Sequence, residues 1–216
     1  MVFELIKHNS IANQYFAEIR DVQVQKDRMR FRRNLERLGE ILAYELSKTM
    51  EFRTEIIHTP LADIQVPLLI EQPILVPILR AAIPFYQGVL NVFDNADSGF
   101  AGVWRVEGEN GEAPKVQFNY LAAPSIEQKI VILIDPMIAT GKSLLTTVDK
   151  LMQNGIPRKL YILSLIASKQ GIDRLKESLK TDYSLWTGAI DEGLNDRAFI
   201  VPGLGDAGDL SFGQKQ

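Results

Sequence analysis

Apolar positions along this chain fall into blocks of two kinds. Four blocks are nearly continuous: Pro73–Ala82, Ile130–Asp135, Lys159–Ala167 and Tyr183–Ile190. A strand covered on both faces reads this way, because neither side of it meets water. Elsewhere apolar residues recur at helical spacing. Phe31, Leu35, Leu38 and Leu42 form one stripe, in a helix that Asp27 caps and that continues to about Lys48. Leu144, Leu145, Val148, Leu151 and Met152 form a second, with Gly155 where a helix C-terminal glycine belongs. Ile172, Leu175 and Leu179 mark a third. Buried strands alternating with helices predict an α/β fold built on a doubly wound, mainly parallel sheet.

Several stretches break this rhythm. Residues 1–26 give no firm pattern. Glu55–Thr59 and Ile64–Leu69, beside Pro60 and Pro67, predict a small extended excursion or edge hairpin. Phe100–Val106 and Lys115–Leu121 flank Glu107–Pro114, which predicts a β-hairpin arm over about residues 99–125. Asp191–Gly213 carries five glycines and Pro202 with few helix formers, so a long shaped loop is expected there. Its Phe199, Ile200, Val201, Leu204 and Phe212 argue for a packed loop rather than a disordered tail. With no internal repeat, low-complexity tract or linker, a single domain over residues 1–216 is the simplest partition.

Composition narrows the function classes. The 216 residues are 46% hydrophobic and 24% charged, ordinary for a globular protein with a large core. A net charge of −3 gives no global attraction to nucleic acid. The chain has no cysteine, which excludes disulfides and thiolate metal sites and fits a cytoplasmic setting. The start, MVFELIKHNS, lacks the features of a signal peptide, and no apolar stretch is long enough to span a membrane.

Chemistry concentrates at the strand ends. Asp135 closes an apolar strand, where a carboxylate needs partners or a ligand. Pro136 stops the strand, and Thr140, Gly141, Lys142 and Ser143 precede the next helix. N–H groups at such a helix start can hold a phosphate, while the acid accepts hydrogen bonds from ribose hydroxyls. The Gly-Lys-Ser triplet invites comparison with a nucleotide-binding P-loop, but that motif needs a glycine where Pro136 stands. An ordinary buried strand and crossover helix is the plainer alternative. Arg80 ends the preceding strand and reads either as a core-edge ion pair or as a diphosphate ligand. Arg28, Arg30, Arg32, Arg33 and Arg37 read best as a solvated, salt-bridged face, with an anion site or subunit contact as the alternative. His8 and His58 sit in no recognisable nucleophilic arrangement.

Three motifs carry a resemblance. IVILIDPMIATGKS at Ile130–Ser143 resembles the phosphoribosyl pyrophosphate (PRPP) binding motif of uracil phosphoribosyltransferases, VPILRA at Val76–Ala81 their diphosphate loop, and IVPGLGDAGD at Ile200–Asp209 their uracil-binding loop. They occur in the family's order and roughly its spacing. The resemblance implies a type I phosphoribosyltransferase fold with a hairpin arm and a C-terminal base-binding hood over about 191–213. It implies pyrimidine salvage, uracil plus PRPP giving UMP and diphosphate. PRPP would be held by Arg80, Arg105, Asp206 and the run Asp135, Pro136, Met137, Ile138, Ala139, Thr140, Gly141, Lys142 and Ser143. Uracil would meet Ile200, Gly205, Asp206 and Ala207. The catalytic set would be Arg80, Arg105, Asp135 and Asp206, with no general base assigned. Mg²⁺ would arrive with the diphosphate rather than on a protein cluster. Homo-oligomers and a GTP effector are further family traits.

The sequence departs from the family at Ala82 and Lys142, where glycine is usual, and in the arm at Val106-Glu107-Gly108. Arg197, Ala198, Leu210 and Gln214 also differ from common family residues. Two alternatives share the fold: a catalytically weak nucleotide-binding regulator, and an RNA-binding regulator of pyrimidine genes. The latter needs a basic surface, against which the net charge argues.

Overall fold

A computed structural model describes residues 1–106 and 115–214 of the chain. The expected arm tip, Glu107–Pro114, lies outside the described residues, as do the side chains of 104–106, 115 and 116.

The elements run in this order: β1 (Val2–Glu4), α1 (Ala12–Arg20), α2 (Arg28–Ser47), β2 (Phe52–His58), β3 (Asp63–Leu69), β4 (Ile74–Leu79), α3 (Ile83–Val92), β5 (Phe100–Val106) and β6 (Lys115–Ala122). There follow β7 (Ile130–Ile134), β8 (Met137–Ile138), α4 (Lys142–Leu151), β9 (Lys159–Ser168), α5 (Lys169–Ser178), β10 (Tyr183–Asp191), β11 (Gly193–Leu194), β12 (Ile200–Val201) and α6 (Ala207–Phe212).

The main sheet has the order β1-β10-β9-β7-β4-β5-β6, with β8 beside β9. Every pairing in it is parallel except β5 with β6. The pleat of β7 shows why its sequence is apolar throughout. Ile130, Ile132 and Ile134 pack with Phe31, Leu35, Leu38 and Phe85 of α2 and α3, while Val131 and Leu133 pack with Leu144, Val148, Ile172 and Leu175 of α4 and α5. Both faces are therefore covered, and the fold is α/β and doubly wound. The cap expected for α2 is present: the Asp27 carboxylate accepts a hydrogen bond from the Arg30 N–H at 3.0 Å.

Residues 1–26 hold more structure than their sequence suggests. β1 is the edge strand beside β10, and α1 buries Ala12, Phe16 and Ile19 against the α2 side of the core. Their four and three spacing was a usable helix signal, but Ile11 at the cap position has no capping side chain, and only the Ser10 hydroxyl, accepting from the Ala12 N–H at 3.3 Å, marked the start. Helix α3 was hidden for a similar reason. It follows β4 after a three-residue turn without a side-chain cap, so strand and helix merge in one apolar run.

The arginines of α2 divide by function. Arg30 and Arg33 pair with Glu18 and Glu36, as a salt-bridged face requires. Arg32 instead donates to the Ser211 carbonyl on α6, and Arg37 lies over the Tyr15 ring of α1. His58 pairs with Asp63 on the β2–β3 hairpin, and His8 stacks on Phe3.

Glu18 joins α1 to α2. Arg30 donates to it from Nε and Nη2 at 2.9 and 2.7 Å, and Asn34 adds a third bond at 2.7 Å. The Arg30 hydrogen bonds, then that of Asn34, hold the Glu18 carboxyl down at about 2. A pKa lower in the folded than in the unfolded chain gives stability that is complete above about pH 5 and is lost as pH falls toward 2. Glu18→Gln should therefore lose less of its own stability than the wild type between pH 6 and pH 3. Urea denaturation midpoints across that range measure it; parallel pH dependences would refute the role.

Candidate active site

In parallel strands the carboxyl ends face one way, and the loops after β4, β7 and β10 meet there. Between them lies a cleft of about 350 Å³. Arg80 and Ala81 reach it from the turn after β4, and Asp135, Met137, Ala139 and Ser143 from the segment joining β7 to α4. Ile200, Gly205, Asp206, Ala207 and Gly208 come from the C-terminal segment, with Arg197, Ala198 and Phe199 at its start.

The structure thus brings nine of the expected residues to one cleft: Arg80, Asp135, Met137, Ala139, Ser143, Ile200, Gly205, Asp206 and Ala207. Others of the set are not part of its wall. Ile138 is buried in the core on the α4 and α5 side, and Pro136 is buried with its carbonyl accepting from Leu165 and Ile166. Thr140, Gly141 and Lys142 lie at the start of α4, beyond the lining. Arg105 belongs to β5, and its side chain is outside the described residues; Val103 of the same strand lines the cleft.

The loop leading into α4 is braced from behind. Gly141 has φ of 74°, a left-handed angle that glycine adopts without steric cost, and a β-carbon there would come within 3.2 Å of the Gly171 carbonyl. Ser168 of β9 donates to the Ala139 carbonyl, and Arg174 of α5 to the Thr140 carbonyl at 3.1 Å. The carbonyls are held by protein groups, while the Thr140 and Gly141 N–H groups have no acceptor among the described residues. That arrangement presents donors to an anion.

Arg80 makes the ion pair that one reading of its sequence position expected. One guanidinium nitrogen, Nη2, donates to Asp209 Oδ1 and to the Gly213 carbonyl, each at 2.8 Å. Its Nη1 has no partner among the described residues. The C-terminal segment therefore fixes the arginine at the cleft. Ala82, where glycine was usual, is buried with φ of −72° and ψ of −15°, ordinary helical angles that a β-carbon tolerates.

The segment from Asp191 to Gly213 is more regular than a shaped loop. β11 and β12 pair antiparallel, and α6 follows, capped by Asp206 accepting from the Asp209 N–H at 2.9 Å. Its glycines masked this: Gly203 and Gly205 have φ of 56° and 98°, so they shape the turn before α6 rather than prevent a helix.

Sequence reasoning missed the group that holds this segment. Arg20, at the end of α1, makes a two-pronged pair with Asp191, Nη1 to Oδ2 and Nη2 to Oδ1, both at 2.8 Å. Gly203 completes the clamp. Its N–H donates to Asp191 Oδ2 at 2.8 Å and its carbonyl accepts from Arg20 at 3.0 Å. Asp191 is 6% exposed, so its charge depends on these donors. No local signal links residues so far apart in sequence.

Comparison with known proteins agrees with this geometry. The chain matches the uracil phosphoribosyltransferase family over residues 5–214. It is 39% identical over 214 residues to a uracil phosphoribosyltransferase of Porphyromonas gingivalis, covering 99% of each chain. Over 192 residues it is 38% identical to the uracil phosphoribosyltransferase of Thermococcus sibiricus, covering 87% of this chain and 80% of the other. Among solved structures, the AQ2163 protein from Aquifex aeolicus superposes with a TM-score of 0.87 at 31% identity, covering 99% of this chain and 98% of that one. The chain belongs to the uracil phosphoribosyltransferase family.

Proposed function

We propose that this protein transfers the ribose-5-phosphate of PRPP to uracil, giving UMP and diphosphate. The observation that carries the reading is the shared cleft. A strand-tip carboxylate, an arginine, a helix start and a backbone-rich loop face one space of about 350 Å³. Neither the family match nor the relatives' names point to a regulator.

In this reading the 5-phosphate takes N–H groups at the start of α4, and Asp135 accepts from the ribose hydroxyls. Arg80, through Nη1, and Arg105 bind the diphosphate. As the C1′–oxygen bond breaks, positive charge grows on the ribose ring and N1 of uracil attacks C1′. Catalysis is then mainly alignment of the two substrates and stabilisation of the leaving group's charge. Asp135 and Asp206 are hard oxygen donors facing the same cleft, which fits Mg²⁺ entering with the diphosphate and taking its remaining ligands from substrate and water. The ion would supply neutralisation of the leaving group.

Two wider features belong to the same proposal. Assembly with a second copy is supported by the β2–β3 hairpin, whose Phe52, Ile56, Leu61 and Ile64 are exposed on a two-stranded unit of a kind that seldom stands alone. A cytoplasmic setting is supported by the absence of cysteine; no described helix is long and apolar enough to cross a membrane.

Base recognition follows from the lining. Ile200, Gly205 and Ala207 have no polar side chains, so uracil is read by main-chain groups. Ala207 opens α6, where an N–H has no acceptor within the helix and can donate to O4. The Gly205 carbonyl accepts from N3–H. Cytosine reverses both groups, and a site built for those hydrogen bonds should reject it by roughly 10⁴-fold. Diphosphate release from PRPP with each base is the test; comparable kcat/KM for cytosine, or no release with uracil, would overturn the assignment.

Asp135→Asn keeps an oxygen to accept from the Met137 N–H, as Oδ1 now does at 3.2 Å, so the fold should persist. Loss of the charged acceptor should cost about 1.5–3 kcal/mol in kcat/KM. Unchanged kinetics in the folded variant would remove Asp135 from the ribose site. Lys142 is exposed at the first position of α4. If its charge reaches the 5-phosphate, Lys142→Gln should weaken PRPP binding and flatten its dependence on salt. Titration of PRPP at several ionic strengths decides this, and an unchanged affinity and slope would retire the contact.

A further inference from the structure

Arg197 lines the cleft with Ile200, Gly205 and Ala207, and no role given so far uses it. Two features distinguish it from an ordinary surface arginine. Its backbone is locked in a tight turn. Asn195 Oδ1 accepts from both the Arg197 and Phe199 N–H groups at 3.0 Å, and the Ala198 N–H donates to the Asn195 carbonyl at 2.8 Å. Ala198 has φ of 59°, a conformation uncommon for a residue with a β-carbon. Turns of this kind persist where the surroundings over-determine them, and they cluster at ligand sites. The second feature is charge. Arg80, the other arginine of the described lining, is paired with Asp209, whereas Arg197 has no ion-pair partner among the described residues.

The chemistry of the base gives such a cation a task. Uracil attacks through N1, which must lose its proton, and the resulting anion spreads its charge over N1, O2 and, through the C5–C6 double bond, O4. Asp206 faces the same cleft, and its carboxylate opposes that ionisation. In the reading above, Gly205 and Ala207 take N3–H and O4. O2 is then the ring's remaining polar atom, and a guanidinium is suited to a carbonyl oxygen gaining negative charge.

We propose that Arg197 donates to O2 of uracil and stabilises the N1 anion. The inference rests on the uracil-transfer reading. The N1 proton passes to water, and the N1 electron pair forms the bond to C1′. The C1′–oxygen bond breaks, and its pair leaves with diphosphate. In UMP, N1 carries no charge, so the interaction weakens once the bond has formed. O2 of neutral bound uracil is likewise a weaker acceptor than O2 of the forming anion, so Arg197 is stronger toward the reacting base than toward the bound substrate, which is the requirement for accelerating the step.

The test compares uracil with 5-fluorouracil, a near-isosteric base whose fluorine makes N1–H more acidic and less dependent on an external cation. Arg197→Gln should lower kcat/KM for uracil about tenfold to a hundredfold, the loss expected for a hydrogen bond to a charged group. The loss for 5-fluorouracil should be several times smaller, and Arg197→Lys should recover part of the activity with uracil. KM for PRPP should not move. Equal losses for both bases would mean a general disturbance of the segment and would overturn the inference. So would a shift in KM for PRPP, or no loss at all. Wild-type protein releasing no diphosphate with either base would instead remove the transfer reading itself.

Discussion

Parallel strand pairing is the constraint on which the rest of this molecule depends. A parallel strand cannot return by a short turn, so each crossover must travel over a face of the sheet before the next strand begins. For β4, β7, β9 and β10, this puts the strand carboxyl ends on one side and helices on both faces. The same constraint forces β7 to be apolar on both sides, which makes Asp135, just beyond its end, the first polar side chain in that part of the sequence. Core and cleft are thus two results of a single pairing rule.

Within the cleft, main chain does much of what side chains do elsewhere. The loop before α4 is supported through its carbonyls by Ser168 and Arg174, which leaves its N–H groups outward. Ile200, Gly205 and Ala207 on the cleft wall offer only backbone polarity. Such a site tolerates changes of side chain wherever backbone angles permit them. Ala82 illustrates the point, since its helical angles accommodate a methyl group, whereas Gly141 has left-handed angles and a close carbonyl neighbour.

How far the sequence disclosed this depends on whether a feature is local. β7, α2 with its Asp27 cap, and Gly155 closing the turn after α4 were readable because each is fixed by neighbours within a few residues. α1 and α3 have no side-chain bond at the cap position, and α6, though capped by Asp206, lies among glycines, so their starts were easily missed despite usable apolar spacing. Arg80 and Asp135 were marked by charge at the end of an apolar run. Arg20 was not: its partner is 171 positions away, and only the fold shows that the two meet. Arg197 was noticed solely as a departure from pattern, because its place in the cleft depends on a turn whose hydrogen bonds are tertiary detail.

The Arg20–Asp191–Gly203 clamp has a consequence for the birth of the protein. A ribosome delivers Arg20 before its partners, which arrive 171 and 183 residues later. Until then α1 is held to α2 through Glu18, but Arg20 has no partner and the C-terminal wall of the cleft does not exist. A nascent or truncated chain can therefore contain the β7–α4 loop complete and still have no second wall to its cleft. A two-walled cleft is reached late, when Asp191 and Gly203 close on Arg20.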